Sequence, residues 1–156
     1  MTDARWHLAQ FNVALLRQPL DHPATAGFID GLEPINTLAD SAPGFVWRLQ
    51  DDSGQSSSYV RAYTEPLMII NLSVWETPDD LRTFVFKTVH TEFLRRRREW
   101  FQRMSEAFLV CWWIPAGTVP TVDEAMDRLD RLRRDGPSDD AFTLREPHPA
   151  WAPADS

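Results

Sequence analysis

The sequence is short of lysine, of cysteine and of long apolar runs, and each shortage removes a class of function. Lys87 is the only lysine among 16 basic residues, against 23 Asp and Glu, and the formal charge is −7. A surface so acidic repels a phosphate backbone, so no nucleic-acid partner is expected. Cys111 stands alone, which rules out an intramolecular disulfide and a thiolate metal site and fits a reducing cytoplasm. The four His, at positions 7, 22, 90 and 148, have no metal-ligand spacing, and neither a Gly-rich phosphate loop nor a Gly-x-Ser-x-Gly elbow occurs. No apolar stretch is long enough to span a bilayer, and the opening MTDARWHLAQ carries no basic-then-apolar leader. No membrane association is expected. Rings are what the chain has in excess: 7 Trp, 9 Phe and 2 Tyr in 156 residues. Such side chains bring large buried area and faces for stacking. The length suits one domain over 1–156, with 141–156 as an extended C-terminal tail.

Hydrophobic periodicity places the elements. Trp6 to Val13 reads as a strand with Trp6, Leu8, Gln10 and Asn12 on one face and His7, Ala9, Phe11 and Val13 on the other. Between Asp21 and Asp40 the positions Phe28, Leu32, Ile35 and Leu38 keep helical spacing after an Asp-His-Pro entry, and Ser41-Ala-Pro-Gly44 ends the run. Phe45 to Gln50 is a second strand. An exposed loop over 51–58 joins it in a hairpin to Leu67–Trp75, whose Ile69, Asn71, Ser73 and Trp75 form a mixed face. Thr77-Pro-Asp-Asp80 is a helix start. Beyond it Leu81, Phe84, Val85 and Thr88 share one side, while Phe86, His90, Phe93, Leu94, Arg97, Phe101 and Met104 share the other. The stripe changes sides near residue 88, and a break there is expected. Phe108 to Ile114 is apolar on both faces and reads as a central strand. Thr121 to Glu124 resembles a capping box before an amphipathic helix with Met126, Leu129 and Leu132, stopped by Gly136-Pro137. The tail is expected to lie along the surface.

The order strand, helix, strand, strand, helix, strand, with one added helix, is the split βαβ pattern of the ferredoxin-like class, an α+β protomer with a four-stranded antiparallel sheet. Helices on one face alone leave an apolar sheet face open. A second copy is the simplest cover, so a homodimer forming an α+β barrel with a cavity is expected.

Two constellations could carry chemistry. His90 and Arg97, seven residues apart on the aromatic stripe with Phe93 and Phe101, fall at nearly the same helical azimuth, about 10 Å apart along the axis. His90 could then move a proton and Arg97 hold an oxyanion or carboxylate. The plainer alternative is a satisfied core His and an Arg paired with Glu33, Glu65 or Glu76. Arg95, Arg96 and Arg98 read as a solvated face pairing with Glu92 and Glu99. The second set lies on strand faces: Asn12 with Gln10, then Trp47 or Arg48, then Asn71, Ser73 and Trp75. Convergent amides and hydroxyls among aromatic walls suit a small-molecule pocket, and strand-capping or backbone-bridging amides are the competing reading. Trp112, Trp113, Phe108 and Trp6 are assigned to core or dimer packing, and Cys111 to the core.

Several ordered motifs resemble a known family: Asn36-Thr-Leu-Ala, Pro43-Gly-Phe-Val-Trp-Arg48, Asn71-Leu-Ser-Val-Trp-Glu76, His90 with Arg97-Arg-Glu-Trp-Phe101, and Trp112-Trp-Ile-Pro-Ala-Gly117 followed by Pro120-Thr and Glu124-Ala. Over roughly 6–146 they resemble an uncharacterised bacterial domain family within the dimeric α+β barrel superfamily, which includes antibiotic-biosynthesis monooxygenase-like proteins. The resemblance implies a ferredoxin-like protomer, a homodimer and a cavity between sheet and helices. Members of that superfamily include cofactor-independent oxygenases, haem enzymes, isomerases and proteins without known activity. Where the family often has a His after the Pro-Ala-Gly turn, this chain has Thr118.

The expected function is a small enzyme of hydrophobic or aromatic small-molecule metabolism. It would use no cofactor and perform acid–base chemistry such as cyclisation, isomerisation or monooxygenation. Site residues are His90 and Arg97 as catalytic groups and Asn12, Trp47, Arg48, Asn71, Ser73, Trp75, Phe93 and Phe101 around the substrate. The alternatives are a non-catalytic dimeric ligand-binding protein and a haem enzyme with His90 as axial ligand and Arg97 on a propionate.

Overall fold

The computed structural model describes residues 6–50, 65, 67–88 and 95–150. Strand β1 (Trp6–Leu15) is followed by a 3-10 turn (Pro23–Thr25), helix α1 (Ala26–Asp40), strands β2 (Phe45–Arg48) and β3 (Met68–Trp75), and helix α2 (Pro78–Thr83). A π-helical turn (Phe84–Thr88), a short helix α3 (Arg97–Trp100), strand β4 (Leu109–Pro115) and helix α4 (Val122–Asp135) complete the order. The sheet is antiparallel throughout, in the order β2-β3-β1-β4. This is the ferredoxin-like α+β arrangement expected from the element order. Among the described residues no helix is long and apolar enough to cross a membrane.

Local chemistry explains the boundaries. His22 accepts from the Ala24 amide through Nδ1 at 2.9 Å and so caps the turn that leads into α1. Thr77 and Thr121 each accept from the amide three residues on, at 3.1 Å, with acids in the first turn of both helices. Gly136, at φ +81°, ends α4 as Gly-Pro predicts. Gly44, at φ +82°, turns the chain from α1 into β2, and its carbonyl accepts from the Glu76 amide at 2.7 Å.

The alternation on β1 divides the core. Ala9, Phe11 and Val13, with Ile70, Leu72, Val74, Val110, Trp112 and Ile114, form one sheet face, which packs on Ala125, Leu129 and Leu132 of α4. Leu8 through Leu16 on the other face meet the remaining helices in two separate clusters. One holds Leu8, Trp75, Leu81 and Cys111, the other Leu16, Ile69, Phe28 and Trp100. The added helix therefore covers the face that was expected to need a second copy. Ala9, Phe11, Val13 and Leu72 are at most 2% exposed within one chain, so this face needs no second copy to bury it.

Two further expectations change. Strand β4 is apolar on both faces, yet it stands at the sheet edge. Its outer edge is shielded by the tail: the Cys111 amide donates to the Phe142 carbonyl at 2.7 Å, and the Phe142 amide returns a bond at 2.9 Å. Nor does the tail lie only on the surface. Ala141 and Phe142 are fully buried, and Arg82 on α2 donates to the Leu144 carbonyl at 2.8 Å. Phe108, assigned to packing, is 51% exposed one residue before β4 begins.

Beneath that tail the Cys111 thiol is sealed. Burial pushes its pKa from 9.0 up to about 12, against the lowering field of Arg82. Raised in the folded state, it contributes stability that is complete below pH 9 and is lost between there and about 12, because only the unfolded thiol ionises in that window. Urea midpoints are accordingly expected to fall above pH 9 in the wild type more steeply than in Cys111→Ala. Parallel pH profiles for the two proteins would contradict this.

Candidate functional site

The register of the sheet gathers four polar side chains at the middle of its second face. Gln10 stands opposite Ser73 on β3 and Cys111 on β4, while Asn12 stands opposite Asn71 and Leu109. These residues lie between the two apolar clusters that the face shares with the helices. Buried amides and hydroxyls cost free energy unless paired, and here they pair with one another. Gln10 donates from Nε2 to Asn71 Oδ1 and, at 2.9 Å, to Ser73 Oγ. The indole N–H of Trp75 also donates to Ser73 Oγ, at 2.9 Å. Gln10 is 4% and Ser73 6% exposed, whereas Asn12 and Asn71 are half-buried. Among the described residues no charged side chain bonds to any of the four.

Hydrogen-bonding capacity is left over. The Asn12 amide, Asn71 Nδ2 and Gln10 Oε1 have no partner among the described residues. Among the described residues the network thus ends in an unpaired acceptor on Gln10 and an unpaired donor on Asn71.

The other expected site residues divide. Trp75 shares this face but is 1% exposed, set edge-to-face with Phe45 at 5.4 Å and tilted on Phe84 at 5.3 Å. It is a wall of the network and offers no open ring face. Arg48, opposite Ser73, is committed to Asp40 at the end of α1 through an ion pair of 2.8 Å. Trp47 belongs on the far side of the sheet, packed on the cluster under α4. A bulge between Phe45 and Trp47 reverses the alternation, so two residues that would share a face in a regular strand lie on opposite ones. Phe101 packs edge-to-face on Phe28 at 5.0 Å, in extended backbone bridged to Leu16. His90 and Phe93 lie outside the described residues.

Arg97 is exposed on α3, contrary to its expected inward position. A single helical azimuth over 86–104 would turn it inward with Phe101 and Met104, whereas α3 is a four-residue piece whose buried side chain is Trp100. Arg96 is the partly buried arginine. It pairs with Glu99 at 3.2 Å as expected, but its guanidinium also covers the Trp100 ring at 4.9 Å and packs against Gly27 of α1. Thr118, at the position where the resembling family often has a His, bonds to the Pro115 carbonyl at 2.6 Å and closes its turn.

Comparison with known families matches residues 7–155 to the model of DUF3291, described as a domain of unknown function. The chain belongs to the DUF3291 family. None of the curated proteins matches it. Among solved structures, this DUF3291 chain is similar to SnoaB, a cofactor-independent oxygenase from Streptomyces nogalater. They share 13% identity at TM-score 0.42, over 74% of this chain and 96% of that one. It is also similar to NE2512, a protein of unknown function from Nitrosomonas europaea, at 11% identity and TM-score 0.47, over 76% of this chain and 99% of that one.

Proposed function

We propose that this chain is a small enzyme of hydrophobic or aromatic small-molecule metabolism whose substrate lies between the sheet and the helices, against Asn12, Asn71, Gln10 and Ser73. The carrying observation is the buried network with spare hydrogen-bonding capacity, set between two aromatic-rich clusters. Amides and a hydroxyl fixed by one another, flanked by apolar walls, orient a greasy ligand without charging the site. Chemistry without a cofactor, such as cyclisation, isomerisation or oxygenation of a substrate carbanion by molecular oxygen, needs a group to move a proton. His90 is our candidate for that role. Arg97, exposed on α3, is not.

The test separates an enzyme from a pure binder. Purified protein is incubated in air with polycyclic phenols and ketones, and substrate loss is followed by chromatography. Turnover is expected in the wild type and not in His90→Ala, with ligand binding retained in the variant. Asn71→Ala is expected to weaken binding about tenfold, the worth of one good hydrogen bond. Binding without turnover in either protein would favour a non-catalytic ligand carrier, and no binding of any member of the panel would remove the pocket reading.

A further inference from the structure

The chain is acidic as a whole, but its arginines are not spread evenly. Residues 95–103 hold Arg95, Arg96, Arg97, Arg98 and Arg103 against Glu99 alone. The end of β1 brings Arg17 to the same corner. Its amide donates to the Trp100 carbonyl at 2.8 Å and its Nε to the Arg98 carbonyl at 2.8 Å. Six arginines against one glutamate make the corner +5, so the other residues of this −7 chain carry −12. Arg96 and Glu99 pair with each other. Arg17, Arg97, Arg98 and Arg103 are exposed and have no carboxylate in ion-pair contact among the described residues, whereas Arg128, Arg131 and Arg134 of α4 each have one. An exposed ring stands beside them. Phe108 is 51% exposed, and its carbonyl accepts from the Val13 amide at 2.9 Å, just as the Leu15 carbonyl accepts from the Gln102 amide at 2.8 Å. From Val13 to Arg17, about 13 Å of extended chain, the neighbours of β1 are therefore Phe108, Gln102 and Trp100. Arginines without acid partners around an open aromatic ring have the composition of a protein-binding surface.

We infer that this corner is a docking surface for a partner protein presenting an acidic helix, with Arg17, Arg97, Arg98 and Arg103 taking its carboxylates and Phe108 an apolar side chain between them. The spacing suits such a partner: carboxylates seven residues apart on one helix face lie about 10 Å apart, within the span of the corner. Guanidinium groups are also the cations best shaped for carboxylates. An anionic membrane or a nucleic-acid duplex extends its charge well past the corner and would lie against the surrounding −12. A compact partner that touches only the corner avoids that repulsion. The bonds from Arg17 hold α3 against the end of β1, so the elements that carry the charges are fixed before a partner arrives.

The probe is a fluorescein-labelled helical peptide with Glu at positions i, i+4 and i+7 and Leu between them, compared with a counterpart that has Gln for Glu. Dissociation constants are read from fluorescence anisotropy. The wild type is expected to bind the Glu peptide, more weakly as salt rises, and the Gln peptide about tenfold more weakly still. The triple variant Arg97→Gln, Arg98→Gln, Arg103→Gln is expected to lose about tenfold in affinity for the Glu peptide. A second triple variant, Arg131→Gln, Arg134→Gln, Arg145→Gln, removes the same charge elsewhere on the surface and is expected to stay within about twofold of wild type. Equal losses in the two variants would reduce the effect to net charge and overturn the inference, as would equal binding of the two peptides or no binding of the Glu peptide. Phosphatidylglycerol vesicles or a DNA duplex that bind more tightly than the peptide, through the same arginines, would assign the corner to another class of partner and overturn it too. In the wild type, the arginine Nε–H NMR signals of Arg17, Arg97, Arg98 and Arg103 are expected to shift on addition of the Glu peptide while those of Arg131 and Arg134 stay. Shifts spread over both sets contradict the assignment even if a variant does not fold.

Discussion

Phe142→Ala is expected to lower the free energy of unfolding by about 3–5 kcal/mol, the usual range for deleting a fully buried ring. The side chain is 0% exposed and fills the space beside Leu8, Cys111 and Trp113, with the Trp113 ring 6.5 Å away and the His148 imidazole stacked on it at 5.2 Å and 3°. The stack is itself anchored: His148 Nδ1 meets Asp139 at 2.8 Å, and the His148 carbonyl accepts from Trp113 Nε1 at 2.9 Å. Removing the ring leaves a cavity whose walls are held on three sides, so little of it can collapse. The same change opens the cover over Cys111. Its thiol, inert in the wild type because burial keeps it protonated, should react with a disulfide reagent at pH 8 at a measurable rate in the variant. A midpoint shift worth less than about 1 kcal/mol would mean that the tail is dispensable to the core.

Gly44→Ala is expected to cost on the order of 3 kcal/mol, for two reasons that add. At φ +82° an L side chain is strained, and a Cβ there would fall on the Asp80 carboxylate. That carboxylate cannot simply swing away, because it accepts from the Thr77 hydroxyl at 2.9 Å in the first turn of α2. Gly117→Ala is the control. It has φ +90° with nothing within 4 Å of the new atom, so it carries the backbone strain alone, about 1 kcal/mol. Urea midpoints at unchanged slope measure both. Equal losses would show that Asp80 yields freely and that the close approach of α1's exit to α2 does not constrain the fold.

Much of this architecture was legible in the chain because period and punctuation agree there. The alternation from Trp6 through Val13 assigns each β1 side chain to its observed face, and Thr77-Pro78 and Thr121 mark helix starts to the residue. Pro34 sits within α1 without ending it, as the apolar spacing on both sides implies. The polar face of β3 is equally plain, and it is what brought Asn12, Asn71 and Ser73 into view together. What stayed hidden depends on breaks in period. The bulge at Val46 sends Trp47 away from the site and Arg48 toward it, and no residue in that strand announces it. The four-residue helix at Arg97–Trp100 buries Trp100 and leaves Arg97 exposed, off the face that one helical azimuth over 86–104 would give it. The apolar character of β4 gave its burial correctly and its position wrongly, because a strand can be covered at an edge by chain that has no periodicity of its own. Gln10 was visible as a neighbour of Asn12, but its place as hub comes from register, which pairs it with Ser73 and sets it diagonal to Asn71.

The placement of β1 also bears on how quickly the fold can form. Leu15 pairs with Met68, Trp6 pairs with Pro115, and the outer edge of β4 is closed only at Phe142. The first strand is thus the middle of a ladder whose partners come late, and each pairing closes a long loop before any contact rewards it. Refolding should be slow for a chain of 156 residues. During synthesis the apolar side chains of β1 stay uncovered until β4 and α4 have left the ribosome, an interval in which they are open to misassociation and to chaperones.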